Sequence, residues 1–289
     1  MPELPEIETV KLQLQKVLVG LKIVSITVRG NKTVQGDIRR AEGKKVLGVR
    51  RAAKVLMMDL SDGLSMAFHF KMTGQLVYDK DDNPKTWKDR VVGGHPTEDF
   101  LGPLPSTHTR VIFKMNRGTL YFNDQRMFGW VITGKTEEIN NLKFIKSLGP
   151  EPFDVDEERF VKIFEKVKKP IKLALMDQEK ISGVGNIYAN DACWEAKVDP
   201  RRPANSLTAK QYRELFEGVK KVLREGIKYG GATAADAKYI DLHGLGGHYQ
   251  DHFKTYDREG EHCLRDDGGT IHRMAMGGRG TYFCPKCQV

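Results

Sequence analysis

The start of the chain places apolar residues with the period of a helix. They fall on one face at Ile7, Val10, Leu14 and Val17. Pro5 suits a first helical turn, and Gly20 suits the position just after a helix. The pattern therefore predicts an amphipathic helix over residues 5–18.

Short apolar runs typical of β-strands follow, separated by turns rich in Gly, Asn and Asp. The runs are KIVSITVRG, KKVLGVRR, KVLMMDL, SMAFHF, RVIFKM, TLYFND and WVITG. An irregular stretch at about 79–105 interrupts them, and its length favours a functional loop or an accessory insertion. Many short strands with such turns indicate a sandwich or a barrel.

Helical periodicity replaces the strand pattern after residue 137. The helical runs are DEERFVKIFEKV, IKLALMDQEK, NIYANDACWEAK and TAKQYRELFEGVKKVLREGIKY. A glycine-rich stretch at 229–248 predicts a mobile loop, and the tail carries cysteines around a Gly-Gly turn. We therefore predict an α+β protein in four parts, which are an N-terminal β-sandwich with a leading helix (1–134), a hinge (135–147), a helical domain (148–248) and a β-hairpin (249–289).

Composition narrows the class of protein. The chain has 289 residues, of which 39% are hydrophobic, and this argues for buried cores and against disorder. No apolar run approaches the ~20 residues that span a bilayer, so we expect a cytoplasmic protein without a membrane partner. A net charge of +9 and a pI of about 9.2 favour a polyanionic partner such as nucleic acid.

The first residues carry candidate chemistry. Removal of Met1 would make Pro2 the terminus, and a terminal amine has a pKa of about 7.7–8.0, against about 10.4 for lysine. A secondary amine that is partly unprotonated can attack a carbonyl-like carbon and form an iminium. Glu3 beside it could carry the protons that this chemistry requires. The alternative is that Pro2 and Glu3 only begin the helix.

Cysteine spacing suggests a metal site in the tail. Three of the four cysteines lie within the last 27 residues, at Cys263, Cys284 and Cys287. Cys284-x-x-Cys287 has the spacing of half a zinc site. Cys193 lies in a predicted helix, where we expect it in the core.

Motifs along the whole chain resemble the Fpg/Nei family of DNA glycosylases, and in particular its formamidopyrimidine-DNA glycosylase branch. The opening MPELPEIETV resembles the start of that branch, and Leu4 stands where Nei members have glycine. The other similar segments are RRAAKVLMMDL, HFKMTGQL, FNDQRMFG, SLGPEPF, IKLALMDQEKISGVGNIYANDA and the cysteine-bearing tail.

The resemblance implies a fold and a function. The fold is a β-sandwich followed by a helix–two-turns–helix domain and a zinc-finger-like hairpin. The implied activity is that of a monomeric, nucleoid-associated bifunctional DNA glycosylase and AP lyase of base excision repair. Such an enzyme removes oxidised purines, namely 8-oxoguanine and formamidopyrimidines, from damaged double-stranded DNA, and cuts the strand by β,δ-elimination.

The resemblance also implies residue roles. The catalytic residues are Pro2, Glu3, Lys54 and Arg279, with Glu6 in support. Residues that fill the gap left by a flipped nucleotide are Met72, Arg126 and Phe128, although Gln125 replaces the usual proline of their loop and puts its rigidity in doubt. The residues implied to contact the DNA backbone are His108, Lys166, Asn186 and Tyr188. Lys172 corresponds to a lysine that lies near the lesion.

The residues alone allow simpler interpretations of the same positions. Lys54 could be a solvated lysine on a strand, and Met72 and Phe128 could pack in the core. The segment GVGNIYAND could be an ordinary turn between helices. Surface charges would account for His108, Lys166 and Lys172.

The zinc site departs from the family pattern. Where relatives have a second cysteine after Cys263, this chain has Asp267, and a carboxylate can bind zinc. We expect one zinc ion held by Cys263, Asp267, Cys284 and Cys287. The rival fourth ligands are Asp266, His262 and His272, and a zinc-free hairpin is a further alternative.

Two other functions stay open at the level of sequence. One is a Nei-like glycosylase for oxidised pyrimidines, against which Leu4 argues, as does the set of Met72, Arg126 and Phe128. The other is a catalytically silent DNA-binding protein, against which Pro2, Glu3 and Lys54 argue. The sequence does not assign a role to the stretch at 79–105. It does not indicate which lesion is preferred either.

Overall fold

A computed structural model describes residues 2–80, 90–232 and 247–289 of the chain. The described residues form two compact units. The first comprises Met1–Lys146 and Tyr229–Gln250, and the second comprises Ser147–Lys228 and Asp251–Val289. Most of the glycine-rich stretch predicted as a loop, and part of the irregular stretch, lie outside the described residues.

The first unit begins with helix α1, Leu4–Leu18, as the apolar periodicity predicted. Its strands are β1 (Ile23–Val28), β2 (Val34–Gln35), β3 (Val46–Ala52), β4 (Val55–Leu60), β5 (Leu64–His69), β6 (Gly74–Asp79), β7 (Val91–Gly94), β8 (Thr109–Met115), β9 (Thr119–Asp124) and β10 (Trp130–Lys135). Two short helices follow, α2 (Thr136–Asn140) and α3 (Lys143–Lys146).

The strands form two five-stranded sheets, in the orders β1-β8-β9-β6-β7 and β2-β10-β5-β4-β3. Every pairing is antiparallel except that of β2 with β10. Phe68 of the second sheet packs against Phe113 and Phe122 of the first, with ring centroids 5.9 and 6.1 Å apart. The two sheets therefore enclose one apolar core, as a β-sandwich requires.

The sequence missed two strands of the first sheet. Strand β6 has only three consecutive apolar residues, between a glycine and an aspartate that are typical of turns, so its strand signal is short. Strand β7 lies inside the irregular stretch, where two glycines hide its strand character. Pairing with β6, rather than local preference, keeps β7 extended.

The second unit is helical and ends in a hairpin. Its helices are α4 (Glu157–Phe164), α5 (Ile171–Leu175), α6 (Asn186–Glu195) and α7 (Ala209–Lys228), and its strands are β11 (His272–Met276) and β12 (Arg279–Phe283). Helix α6 packs against both α7 and β12. Helix α5 is shorter than predicted, because the Gln178 side chain donates to the carbonyls of Met176 and Val184 and holds the following turns.

Helix α1 approaches β7 closely at Gly93. A Cβ atom at this position would lie 2.2 Å from Cγ2 of Val10, which is fully packed on the inner face of the helix. Since a β-branched side chain in a helix has little rotational freedom, Val10 cannot move aside. Only glycine at residue 93 therefore allows this packing of the helix on the sheet.

We predict that Gly93→Ala lowers the free energy of unfolding by about 1–3 kcal/mol through overpacking. The Gly93→Ala/Val10→Ala double variant should lose less than the sum of the two single changes, because the clashes with the two Cγ atoms of Val10 are then absent. Gly48→Ala is the matched control, since a Cβ there meets nothing within 4 Å. Urea unfolding measures the free energy of unfolding of the three single variants and the double variant. Equal losses of stability in Gly93→Ala and Gly48→Ala would contradict the packing argument.

Candidate active site and zinc centre

The two residues before helix α1 are buried. Glu3 is the N-terminal cap residue, and its backbone N–H donates to Oε2 of Glu6 at 2.7 Å. Oε1 of Glu6 accepts from the backbone N–H of Ala232 at 2.9 Å. Gly231 has φ +85°, and a Cβ on it would lie 2.8 Å from Cγ of Glu6. The Glu6 carboxylate thus joins the start of the helix to the segment after residue 229.

Lys54 lies in the two-residue turn that joins β3 to β4, where Ala52 pairs with Val55. Only 6% of the lysine is exposed. The interpretation as a solvated lysine on a strand is therefore wrong, because the turn directs the residue into the protein. Ala53 before it has φ +50°, a left-handed conformation that costs a non-glycine residue about 1–2 kcal/mol.

His69, which the sequence did not single out, lies buried at the end of β5. Its ring centroid is 5.5 Å from each of the rings of Trp130 and Phe144. Nδ1 accepts from the backbone N–H of Lys71 at 3.0 Å, so the neutral ring carries its proton on Nε2. Burial, with the charges of Lys71 and Lys54, lowers the pKa of His69 to about 3. The imidazole is therefore neutral at physiological pH.

Two loops of the first unit expose large apolar side chains. Met72 is 37% exposed, Met127 is 47% exposed and Phe128 is 55% exposed. The guanidinium of Arg126 lies 4.8 Å from the ring centroid of Phe128. Core packing for Met72 and Phe128 is therefore excluded. An exposed group of this composition is suited to contact a stacked aromatic surface.

The buried carboxylate of Asp124 holds both loops. It accepts from the hydroxyl of Thr73 and from the backbone N–H groups of Arg126 and Gly129, at 3.2 and 2.6 Å respectively. The Thr73 hydroxyl also accepts from the backbone N–H of Arg126 at 3.0 Å. The carboxylate thus constrains the loop that contains Gln125.

His108 is oriented by a residue of the irregular stretch. Its Nδ1 lies 3.0 Å from Oδ2 of Asp99. Thr97 caps the backbone of Asp99, and its hydroxyl accepts from Nε2 of the buried Gln75 at 2.7 Å. One function of this stretch, within its described part, is therefore to place a carboxylate against His108.

The candidate phosphate contacts of the second unit differ in exposure. Asn186 is half-buried at the first residue of α6, after Gly185, and Gly183 has φ +92°. Tyr188 is fully buried and lies against Gly226, where a Cβ would come within 2.5 Å of its ring. Tyr188 thus packs helix α6 against helix α7 beside Asn186. Lys166 is exposed just after helix α4.

Lys172 and Arg279 meet the hairpin in different ways. Lys172 is fully buried, which overturns its interpretation as a surface charge, and its Nζ donates to the hydroxyl of Thr281 at 3.1 Å. Arg279 is exposed as the first residue of β12. The turn before it is Gly277-Gly278, with φ values of +57° and +71°, and such a pair is typical of a two-residue hairpin turn.

Four potential zinc ligands come together in the tail. One ligand atom from each of Cys263, Asp267, Cys284 and Cys287 lies within 4.8 Å of the others. Among the described residues, this group includes neither the histidines at 262 and 272 nor Asp266, so the predicted set is the one assembled. Gly269 donates its N–H to Oδ1 of Asp267 at 2.7 Å, which fixes the carboxylate.

The surroundings of the cluster suit thiolates. The indole N–H of Trp194 donates to Sγ of Cys263 at 3.4 Å, and Arg265 donates to Sγ of Cys287 at 3.4 Å. Such outer donors orient ligands and stabilise their negative charge. Three thiolates and one carboxylate in a closed site therefore fit one structural zinc ion. Cys193 lies elsewhere in the core, where burial raises the pKa of its thiol to about 12.

Family models match three stretches of the chain. The formamidopyrimidine-DNA glycosylase N-terminal domain matches residues 1–131, and the H2TH domain of the same enzyme matches residues 148–238. The zinc finger found in FPG and IleRS matches residues 268–289. The chain belongs to the formamidopyrimidine-DNA glycosylase family. The resemblance stated from the motifs, the fold class and the expectation of a zinc ion are confirmed.

Relatives of this family match the chain over its whole length. A formamidopyrimidine-DNA glycosylase of Pelotomaculum thermopropionicum is 38% identical over 299 aligned positions that cover 100% of this chain and 99% of the relative. A formamidopyrimidine-DNA glycosylase of Thermus thermophilus is 34% identical, and the match covers 100% of this chain and 98% of the relative. Within the described part of the chain, helices that could cross a bilayer are absent.

Solved structures of family members share the fold. Lactococcus lactis Fpg bound to DNA with an abasic site is 31% identical, covers 99% of each chain and has a TM-score of 0.84. The complex of the Lactococcus lactis protein with DNA that contains N7-benzyl-Fapy-dG is also 31% identical, covers 99% of each chain and has a TM-score of 0.85.

We predict that neutral His69 makes the fold less stable in mild acid. The unfolded chain takes up a proton near pH 6.5, whereas the folded His69 does not until about pH 3. Protonation of His69 therefore does not lower the free energy of unfolding above pH 7. Between pH 7 and pH 5 only the unfolded chain binds this proton, so the free energy of unfolding falls by about 2 kcal/mol. The measurement is urea unfolding of wild type and His69→Asn at several pH values.

The difference in the free energy of unfolding between wild type and His69→Asn should change by about 2 kcal/mol between pH 7 and pH 5. His272→Asn, at an exposed position, serves as the control for the loss of one imidazole. A pH-independent difference for His69→Asn would contradict the neutral buried imidazole.

We predict that Asp267→Ala weakens zinc binding by more than the ~10-fold that loss of an outer partner costs. Asp266→Ala removes the neighbouring carboxylate, which lies outside the cluster, and should keep the affinity of wild type. Zinc affinity is measured by competition with a chromophoric chelator. Weaker zinc binding by Asp266→Ala, with unchanged binding by Asp267→Ala, would show that Asp267 is not the fourth ligand.

Proposed function

We propose that the chain is a bifunctional DNA glycosylase and AP lyase of base excision repair, which acts on oxidised purines in double-stranded DNA. The observation that carries the proposal is the arrangement at the start of α1. Pro2 and Glu3 are buried there, and the Glu6 carboxylate fixes the backbone of Glu3. The names of the relatives and the DNA in the related complexes support the same function.

The reaction begins at the imino nitrogen of Pro2 once Met1 is removed. The nitrogen forms a bond to C1′ of the deoxyribose, and the bond from C1′ to the damaged base breaks as the base leaves with the electron pair. Glu3 donates a proton to the ring oxygen as the sugar opens to a cationic imine. Successive β- and δ-elimination then expel the 3′ and 5′ phosphates and leave a one-nucleotide gap.

The exposed apolar loops serve extrusion of the nucleotide. Removing a base from the stack costs a few kcal/mol, and a wedge of methionine and phenylalanine can replace part of the lost stacking. Met72 and Phe128 supply this wedge, and Arg126 beside Phe128 can donate to the base that has lost its partner. The Asp124 carboxylate keeps both loops in place for this contact.

Phosphate contacts are shared among exposed and half-buried donors. We assign His108, Lys166 and Asn186 to the DNA backbone, and Arg279 to the phosphate beside the lesion, where a guanidinium can donate two parallel bonds. Lys172 supports Arg279 from within, through its bond to Thr281. Since these contacts displace counterions, binding should weaken steeply with salt.

The zinc ion has a structural part in this scheme. It would join the segment that carries Cys263 and Asp267 to the segment that carries Cys284 and Cys287, and so hold the hairpin that carries Arg279. When bound, the metal supplies folding energy to the hairpin and takes no part in the reaction. A monomer in the cytoplasm, associated with the nucleoid, fits a protein whose partner is chromosomal DNA.

We predict that sodium borohydride traps a covalent adduct between the chain and DNA that contains 8-oxoguanine or an abasic site. Borohydride reduces the imine between Pro2 and the sugar to a stable amine, and denaturing gels measure the adduct. Pro2→Gln, which keeps Met1 because the second residue is no longer small, should form none. Pro5→Ala leaves the terminal nitrogen intact and should still form the adduct.

The substrate series also separates the alternatives. Trapping on thymine glycol in preference to 8-oxoguanine would indicate a Nei-like enzyme. Lesion binding by wild type without trapping or cleavage on any of these duplexes would indicate a silent DNA-binding protein.

A further inference from the structure

Arg51 connects helix α1 to the turn that carries Lys54. The arginine lies in β3, and its side chain is only 11% exposed. Its Nε donates to Oε2 of Glu8 in α1 at 2.9 Å. Its Nη1 donates to the backbone carbonyl of Ala53 at 3.0 Å. One rigid guanidinium thus contacts both elements on which the proposed chemistry depends.

Glu8 is well suited to hold this arginine. It also accepts from the ammonium group of Lys11 one turn further along the helix. Burial acts to raise the pKa of Glu8, but the hydrogen bonds from Lys11 and Arg51 outweigh it and keep the pKa below its usual value. The Glu8 carboxylate is therefore charged at neutral pH. A charged, hydrogen-bonded acceptor gives Arg51 a single orientation.

The second bond acts on the peptide that leads into Lys54. The carbonyl of Ala53 belongs to the peptide unit whose nitrogen is that of Lys54. Because Ala53 has φ +50°, this turn is strained and needs contacts that hold it. Fixing the carbonyl fixes the plane of that peptide unit, and so limits where the lysine side chain can start.

We propose that Arg51 is a positioning residue, which sets Lys54 in register with the helix that begins after Pro2 and Glu3. The inference rests on the proposed function, since it assumes that Lys54 assists at the lesion. Misplacement of a catalytic group by about 1 Å can cost about 100-fold in rate. Arg51 therefore acts on the rate of the chemical step through Lys54, without contacting DNA itself.

The neighbouring arginine provides a matched control. Arg50 lies in the same strand and donates from Nε to the two oxygens of Asp59, at 3.0 and 2.8 Å, and from Nη2 to Asn140 at 2.8 Å. The bonds of its guanidinium go to β4 and α2, and not to α1 or to the turn at Ala53. Arg50→Ala removes the same charge from the same strand while leaving the contacts of Arg51 intact.

The test is single-turnover excision of 8-oxoguanine under saturating enzyme, together with the DNA dissociation constant and its dependence on salt. Arg51→Ala should lower the excision rate about 10- to 100-fold, with the dissociation constant and the salt slope unchanged. Arg51→Lys should be almost as slow, because an ammonium group cannot bond both partners in a fixed fork. Arg50→Ala should react at the wild-type rate.

A double-mutant cycle separates positioning from general damage to the fold. If Arg51 acts through Lys54, Arg51→Ala should add little to the loss already caused by Lys54→Ala. Full additivity of the two losses would overturn the inference, as would full activity of Arg51→Lys. Thermal unfolding is measured for each variant to check that it folds. If Arg51→Ala does not fold, Glu8→Gln and Arg51→Lys carry the same comparison.

The inference and the proposed function fail differently. If wild type neither cleaves nor is trapped by borohydride on any lesion, the proposed function is wrong and the inference falls with it. If wild type is trapped and Lys54→Ala is slow while Arg51→Ala reacts normally, only the inference is wrong.

Discussion

The buried Glu6 carboxylate receives one hydrogen bond from the start of α1 and another from Ala232, far away in sequence. A chain terminus is ordinarily the most mobile part of a protein, because few contacts hold it. In the proposed reaction the terminus presents the nucleophile, so its freedom has to be removed. Glu6 achieves this together with the apolar face of the helix, whose buried residues reach the core of the sandwich.

Buried and partly buried carboxylates have a common function in this basic chain. Glu6 fixes the terminus, Asp124 fixes the exposed apolar loops, and Asp99 orients His108. Glu8 does the same for Arg51. The net charge of +9 supplies attraction for a polyanion, while these acidic groups decide where particular side chains stand. Attraction and positioning are thus assigned to residues of opposite charge.

Much of this arrangement could be predicted from the sequence, and the limits have physical causes. Helix α1 and most strands have clear periodicity, and comparison with the family motif led to Asp267. Strand β6 was missed because its sequence GQLVYD has only three consecutive apolar residues, between a turn-forming glycine and an aspartate. The burial of Lys172 was missed because it arises from a tertiary contact with the hydroxyl of Thr281. The burial of Lys54 was missed because the sequence placed this lysine on a strand, whereas it lies in the turn between β3 and β4.

The aspartate in the zinc cluster changes how the tail responds to oxidants. Peroxides convert cysteine thiolates to sulfenic and higher acids, whereas a carboxylate has no corresponding reaction. The segment that carries Cys263 and Asp267 has a single sulfur among its ligands, so it cannot form an internal disulfide when the metal is lost. Re-formation of that half of the cluster after an oxidative burst then depends on the reduction of one sulfur atom, at Cys263, instead of two.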